Sequence, residues 1–362
     1  MKTTSFSETE ILSRRRAFQK KLKQQSDPAP DYSLILNANN IRYLTGYSGS
    51  DAALLLSSRS AWLITDSRYT ETAEKSCAGV RVVLRQGGFV ETALTIIPSN
   101  REPGVFGFEP EEWSFGFHRR ASKALKGWRL RMLPRIVESL REIKSDAETD
   151  LIRFAVRAQK KAYELWRKEL KIGMSELDSA ALLRYLMVSR FGAQDESFRT
   201  IVAFDENSSM PHYEPGAKRL GKNSLVLVDW GATVGQYHSD MTRAFFVGKP
   251  NRELERIYGI VSNAQALAIA AIRPGVVASA VDAVARDHIR DCGYGDRFGH
   301  CLGHGIGLAV HEGPVLSVKS ETILEPGHIV TVEPGIYVPG LGGIRIEDDI
   351  IVTPAGGRVI DG

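Results

Sequence analysis

Apolar and polar positions alternate in two different ways along this chain. Before residue 140, apolar runs at Ser33-Leu34-Ile35-Leu36, Ala53-Leu54-Leu55-Leu56 and Ala61-Trp62-Leu63-Ile64 predict short buried strands. Arg68 to Lys75 and Val90 to Ile97 predict short helices, so this part reads as α/β. Ahead of it, Ile11, Leu12, Phe18 and Leu22 predict one amphipathic helix. Pro134 and the charged stretch up to Lys144-Ser145-Asp146 mark a boundary, which makes residues 1–140 and 141–362 the expected domains.

The second part opens on Ser145-Asp146-Ala147-Glu148, a capping-box sequence that should start a long helix running towards Leu170. Ser175-Glu176-Leu177-Asp178 starts another, which Gly192 should end. Further helices fit Pro250 to Ile272 and Ser279 to Asp291. Strands fit Leu225 to Trp230, Gln236 to Val247, Ile329 to Glu333 and Gly343 to Val352. A faint repeat runs through this half. Lys171-Ile172-Gly173 and Arg273-Pro274-Gly275 each precede a helix that ends near an aromatic-glycine pair, Phe191-Gly192 and Tyr294-Gly295.

Composition narrows the class. With 43% hydrophobic and 25% charged residues over 362 positions, the chain is globular, not disordered, collagenous or a disulfide-stapled miniprotein. No apolar run approaches the ~20 residues that span a bilayer, so no membrane role is expected. Three cysteines in so long a chain (Cys77, Cys292, Cys301) suggest a reducing compartment and a cytoplasmic address. The Arg15-Arg16 pair is not followed by the apolar segment an export signal requires. Residues 1–140 carry 21 Lys/Arg against 14 Asp/Glu, and residues 141–362 carry 26 against 29. The basic excess lacks a docking motif or interleaved aromatics, so no nucleic-acid partner is expected.

Acids and histidines gather on apolar strands in the second part. Asp229 closes Leu225-Val226-Leu227-Val228. Asp240 and Thr242 share one face of the next strand. His304 sits in Gly303-His304-Gly305-Ile306-Gly307, with His300 before it and His311-Glu312 after it. Glu333 opens Glu333-Pro334-Gly335, and Arg345 and Glu347 lie in Ile344-Arg345-Ile346-Glu347-Asp348-Asp349-Ile350. Singly, each is an ordinary cap, turn or glycine-loop residue. Jointly, four carboxylates and one imidazole on buried strands make a site for two divalent cations, since buried charges need partners. The aspartates lie eleven apart, the reach of a hairpin with its tip at Ala232 to Gly235. The glutamates lie fourteen apart, on neighbouring strands joined through Pro339 to Gly343. Four oxygen-donor side chains and one imidazole form a hard set that favours Mn²⁺ or Co²⁺-like ions over thiolate-type zinc.

Over nearly its whole length the chain resembles the pita-bread metallopeptidases, the Xaa-Pro dipeptidases (prolidases) and aminopeptidases P. The resemblance to methionine aminopeptidase and creatinase is more distant. Asn40-Ile41-Arg42-Tyr43-Leu44-Thr45-Gly46-Tyr47-Ser48-Gly49-Ser50 and Thr65-Asp66-Ser67-Arg68-Tyr69 look like a creatinase-type N-terminal domain. The resemblance implies a small α/β N-terminal domain and a pseudo-twofold α/β (α+β) catalytic domain of pita-bread fold. It places Asp229, Asp240, His304, Glu333 and Glu347 on the five metal ligands, with Asp240 and Glu347 bridging two ions. Manganese is then the expected metal, with cobalt or zinc as substitutes. His212, in Met210-Pro211-His212, and His311 fall on the substrate-facing histidines. Glu333 is the candidate to take the attacking water's proton, and Arg345, one alternate step from Glu347 on the same strand face, is expected to orient a ligand carboxylate or bind a substrate one. His300 joins the candidate catalytic set. Cys301 departs from the family's usual serine or threonine and reads as a packed thiol. The implied activity is hydrolysis of the bond between an N-terminal residue and proline in small peptides, by a homodimer. The alternatives are a methionine aminopeptidase-like or creatinase-like hydrolase, or a non-catalytic relative.

Overall fold

The computed structural model describes residues 6–361, which fall into two compact units divided between Arg141 and Glu142. The first unit begins with α1 (Glu8–Gln25), β1 (Tyr32–Ile35), α2 (Ala38–Thr45), β2 (Ala52–Ser57), β3 (Ala61–Thr65), α3 (Thr70–Ser76) and β4 (Arg81–Leu84). It continues with α4 (Phe89–Ile96), β5 (Val105–Phe108), α5 (Phe115–Ala124), β6 (Arg129–Met132) and α6 (Ile136–Arg141). Its sheet has the order β4-β3-β2-β1-β5-β6. The middle strands β1, β2 and β3 are antiparallel, while β4, β5 and β6 join in parallel. β1 and β5 are buried along their whole length, so they read as unbroken apolar runs. β4 and β6 are half exposed and basic, and no apolar run announces them.

The amphipathic helix forms as expected, with Ile11, Phe18 and Leu22 buried. It also buries Arg14 and Arg15. The Arg15 guanidinium donates to the carbonyls of Leu44, Ala78 and Gly79, which gives half of the twin-arginine sequence a structural task.

The second unit holds α7 (Asp146–Glu169), α8 (Glu176–Phe191), β7 (Asp195–Glu196), β8 (Ile201–Phe204), β9 (Ser224–Trp230), β10 (Ala232–Val234), β11 (Tyr237–His238) and β12 (Met241–Val247). Then come α9 (Arg252–Ala271), α10 (Ala278–Asp291), β13 (Gly303–Gly305), β14 (Glu312–Leu316), β15 (Ile329–Val332), β16 (Gly335–Val338), β17 (Gly342–Arg345), β18 (Asp348–Thr353) and β19 (Gly356–Val359). The antiparallel sheet β12-β9-β8 packs with α7 and α8 around Trp166, Phe204, Val228 and Trp230. The sheet β14-β13-β15-β18-β19 packs with α9 and α10 around Ile257, Val261, Val330 and Ile350.

The two halves share a connection. Gly173 donates to the Leu220 carbonyl and Leu220 to that of Met174. Gly275 donates to the Leu324 carbonyl and Leu324 to that of Val276. Both glycines have φ near +88°, where a side chain would be strained. The weak sequence repeat is thus a repeated local structure.

The capping box is complete, with the Ser145 hydroxyl accepting from Glu148 N–H and the Glu148 carboxylate accepting from Ser145 N–H. Ser145→Ala should therefore cost about 1 kcal/mol, or about 2–4 °C in Tm for a unit of this size. Calorimetry checks this; an unchanged Tm would make the cap dispensable.

Three expected elements differ. The strand expected from Gln236 to Val247 is broken. Its ladder with β9 stops at Trp230↔Met241, and the chain between makes a separate small hairpin, β10–β11. That hairpin turns at Gly235-Gln236, both at positive φ, a tighter tip than Ala232 to Gly235. Gly231 makes the crossing possible, because a Cβ there would lie 2.0 Å from the Ser239 carbonyl oxygen. The strand expected from Gly343 to Val352 splits into β17 and β18 at Ile346-Glu347. Gly303-His304-Gly305 is a strand between β14 and β15 and not a free loop. Side chains at its glycines would strike the carbonyls of Thr331 and Gly313 at 1.9 and 2.0 Å.

Candidate metal centre

Asp229 comes from the last turn of register in β9, facing Thr242 on β12, and Asp240 lies just before β12. Glu333 and Glu347 sit where β15 and β18 leave their ladder, beyond the pair Val332↔Asp348. Pro334 offers no N–H to continue β15, and the Glu347 N–H instead reaches the Thr242 carbonyl at 3.1 Å. The two strand breaks thus place the two glutamates beside the two aspartates. His304 on β13 enters from the adjoining strand. Its Nε2 lies 3.4 Å from Glu333 and 3.8 Å from Asp240, and ligand atoms of Asp240, His304 and Glu347 all fall within 4.8 Å of one another.

The arrangement fits divalent cations. The His304 Nδ1 faces the Gly305 carbonyl at 3.1 Å, which can only accept, so Nδ1 carries the proton and the Nε2 lone pair points at carboxylates. Oδ1 of Asp229 and Oδ1 of Asp240 are buried without any hydrogen-bond donor. The Arg345 guanidinium faces Asp229, Glu333 and Glu347. Burial, and then the neighbouring carboxylates, push Asp240 and Glu347 well above the ordinary carboxylate range. Burial raises Glu333 to about 8, against the pull of Arg345. Burial, and then repulsion from His311, lower His304 to about 4. Such a cluster holds its own protons until cations replace them.

Arg345 organises one side. Its Nη2 donates to Asp229 at 2.6 Å, its Nε to the Thr242 hydroxyl at 2.9 Å and its Nη1 to the Tyr337 hydroxyl at 2.8 Å. The Thr242 hydroxyl donates in turn to Glu347 at 2.7 Å. Arg345 thus touches Asp229 directly and Glu347 through Thr242. The Tyr337 hydroxyl donates to His300 Nε2 at 3.0 Å, because Nδ1 of His300 is tied to the Cys301 carbonyl. His300 therefore reaches Asp229 only through Tyr337 and Arg345. Cys301 is partly buried with its thiol raised by burial, and all three cysteines are free.

The His311 ring packs on His304 at 4.3 Å between centroids, edge to face, and is itself exposed. Burial, and then electrostatic repulsion from His212, lower its pKa. His212 is exposed in the turn after β8.

Several further residues support the site without being candidates by sequence pattern alone. Glu176 is fully buried and accepts from Phe204 N–H, Asn207, the Tyr213 hydroxyl and Gly216 N–H, holding the segment that presents His212. Tyr337 is the link described above. Thr331 accepts from His304 N–H and donates to Glu333. Asp349 accepts the Asp240 N–H at 3.1 Å, and burial raises its own carboxyl to about 8. The alternation of β16 could have put Tyr337 on the inner face; nothing local could have found Glu176.

Residues 150–354 match metallopeptidase family M24, and residues 14–143 match the creatinase/prolidase N-terminal domain. An uncharacterized peptidase of Bacillus subtilis is 41% identical over 91% of this chain and 93% of its own. The solved Xaa-Pro dipeptidase from Bacillus anthracis superposes with a TM-score of 0.90 at 35% identity, covering 98% of this chain and 97% of that one. The X-Pro aminopeptidase from Thermotoga maritima gives 0.86 at 33% identity, covering 94% and 97%.

Proposed function

The chain belongs to metallopeptidase family M24, and from that premise we propose that it hydrolyses the bond between an N-terminal residue and proline in small peptides. It is a hydrolase that works with divalent metal ions. The observation that carries the reading is the convergence of buried Asp240, His304 and Glu347 with Asp229 and Glu333 on adjoining strands. Similarity to a dipeptidase and to an aminopeptidase supports the proline specificity; both act on Xaa-Pro or X-Pro peptides by name.

Asp229, Asp240, His304, Glu333 and Glu347 would hold two ions, with Asp240 and Glu347 shared between them. The hard donor set favours Mn²⁺, with Co²⁺ or Zn²⁺ as substitutes. Such ions supply Lewis acidity and water acidified towards about pH 7. Glu333 has the most exposed side chain of the five, 16% against 13% for Asp229, 8% for His304 and 7% for Asp240. It is therefore the carboxylate placed to take the attacking water's proton and return it to the departing proline nitrogen. His311 is uncharged at neutral pH and can donate its N–H to the tetrahedral oxyanion. His212, exposed in the turn after β8, is the second histidine that would hold the substrate. Arg345, Tyr337 and His300 keep Asp229 in place. A bond to proline has no amide N–H, so a site that reads the carbonyl and the free amino terminus suits it. We further propose a cytoplasmic homodimer. Free cysteines agree with a reducing compartment, and among the described residues no helix is long and apolar enough to cross a membrane.

Gly-Pro, Arg-Pro-Pro and Met-Ala assayed with and without Mn²⁺ test the reading. Metal-dependent cleavage of Gly-Pro or Arg-Pro-Pro is expected, and their ratio reports dipeptidase against aminopeptidase action. Cleavage of Met-Ala alone would point to a methionine aminopeptidase-like enzyme and overturn the proposal. No cleavage at all would favour a creatinase-like or non-catalytic relative.

A further inference from the structure

The N-terminal unit has a concave site of its own. α1, the β2–β3 turn and the start of β4 wall a cleft of about 810 Å³, within the ~300–1,000 Å³ typical of small-molecule sites. Six cationic side chains line it (Arg15, Arg16, Lys20, Lys23, Arg59 and Arg81) and no acid does. The last five are exposed. Among the described residues, none of those five side chains makes an ion pair or a hydrogen bond, although the same unit pairs Arg14, Arg68, Arg85 and Arg101 with acids.

The wall is built and not incidental. Arg15 is 8% exposed, yet its guanidinium meets only carbonyls, those of Leu44, Ala78 and Gly79 at 2.8–3.1 Å. Glu8 is the acid whose field reaches it. A buried guanidinium without a carboxylate is unusual, and an anion in the cleft would neutralise it. Gly79 is packed so closely that a Cβ would lie 2.6 Å from the Arg15 Nη2. Gln19 donates to the Ser57 carbonyl at 3.0 Å and ties the helix to the opposite turn. Arg16, Lys20 and Lys23 recur every three or four residues along one face of α1. Seven residues of helix are about 10 Å, the length of two to three linked phosphates and far short of a nucleic-acid tract. Leu12 and Val80, both half-buried, add an apolar surface for a flat, uncharged group.

We propose that this cleft binds a polyphosphate anion, either as inorganic polyphosphate or as a nucleoside triphosphate. Guanidinium and ammonium groups give phosphate oxygens charge-assisted hydrogen bonds, and the apolar wall accepts a base where one is attached. The cleft belongs to residues 1–141 and contains none of the candidate metal ligands.

Titration calorimetry on the metal-loaded, full-length protein, with tripolyphosphate, ATP and a twelve-nucleotide single strand as probes, tests the proposal. Lys20→Gln and Arg59→Gln are both exposed and should fold normally by circular dichroism and keep full peptidase turnover. Each should weaken tripolyphosphate and ATP binding about five- to ten-fold, and the pair by about the product. Raising the salt should weaken binding further in the unmodified protein than in the double variant. ATP binding more tightly than tripolyphosphate supports the nucleotide form, and equal affinity supports the inorganic one. Identical titrations for the unmodified protein and both variants would mean chelation at the metal centre, and would overturn the proposal. So would no heat at millimolar probe, or binding confined to the oligonucleotide.

Discussion

Asp240→Ala is expected to abolish hydrolysis, by at least about 10³-fold, while the protein stays folded. Asp240 is buried within reach of Glu333, Glu347 and Asp229, and its Oδ1 has no donor. Without cations its carboxyl is held protonated by burial and by its acidic neighbours, so its removal takes no ion pair from the metal-free chain. The metal-free variant should therefore melt no lower than the metal-free parent, and only the extra stability conferred by metal should disappear. Glu347→Ala should act in the same way, with the Thr242 hydroxyl losing its acceptor at 2.7 Å as a small added cost. Mass-spectrometric metal analysis beside the kinetics decides the matter. If Asp240→Ala retains two ions and full turnover, Asp240 is not a shared ligand.

His311→Ala should leave both ions in place, keep Tm within a few degrees and lose turnover by about 10²–10³. The ring is exposed, contacts His304 at 4.3 Å and fills no cavity in the core, so a stability loss has no structural source. Its lowered pKa keeps it neutral above pH 7, where it can donate a hydrogen bond without repelling bound cations. If the metal content falls together with activity, His311 is a ligand or a prop for His304. If neither changes, it only packs.

What could be read before any coordinates was local. The apolar runs of β1, β2, β3 and β9 are legible because strands buried on both faces admit little else. The capping box of α7 and the αL glycine after α8 are legible because both are backbone requirements answered within four residues. Asp229, Asp240, His304, Glu333 and Glu347 stood out as candidates because acids and an imidazole are costly in such runs. β4 and β6 did not stand out, since strands half open to water carry basic residues like any surface.

The tertiary structure decided everything that depends on partners distant in sequence. Arg345 reaches Asp229 across 116 positions, Thr242 reaches Glu347 across 105 and Gln159 meets Ser239 across 80. No periodicity of 2 or 3.6 residues encodes such pairs. The breaks at Gly231 and at Ile346-Glu347 likewise follow from two sheets meeting, which each strand alone, by its own pattern, would have run straight through. Single residues of the right chemistry at the right places in a strand belong to the sequence. The angle at which strands from separate sheets leave their ladders, and hence the few ångströms between four carboxylates and one imidazole, belongs to packing.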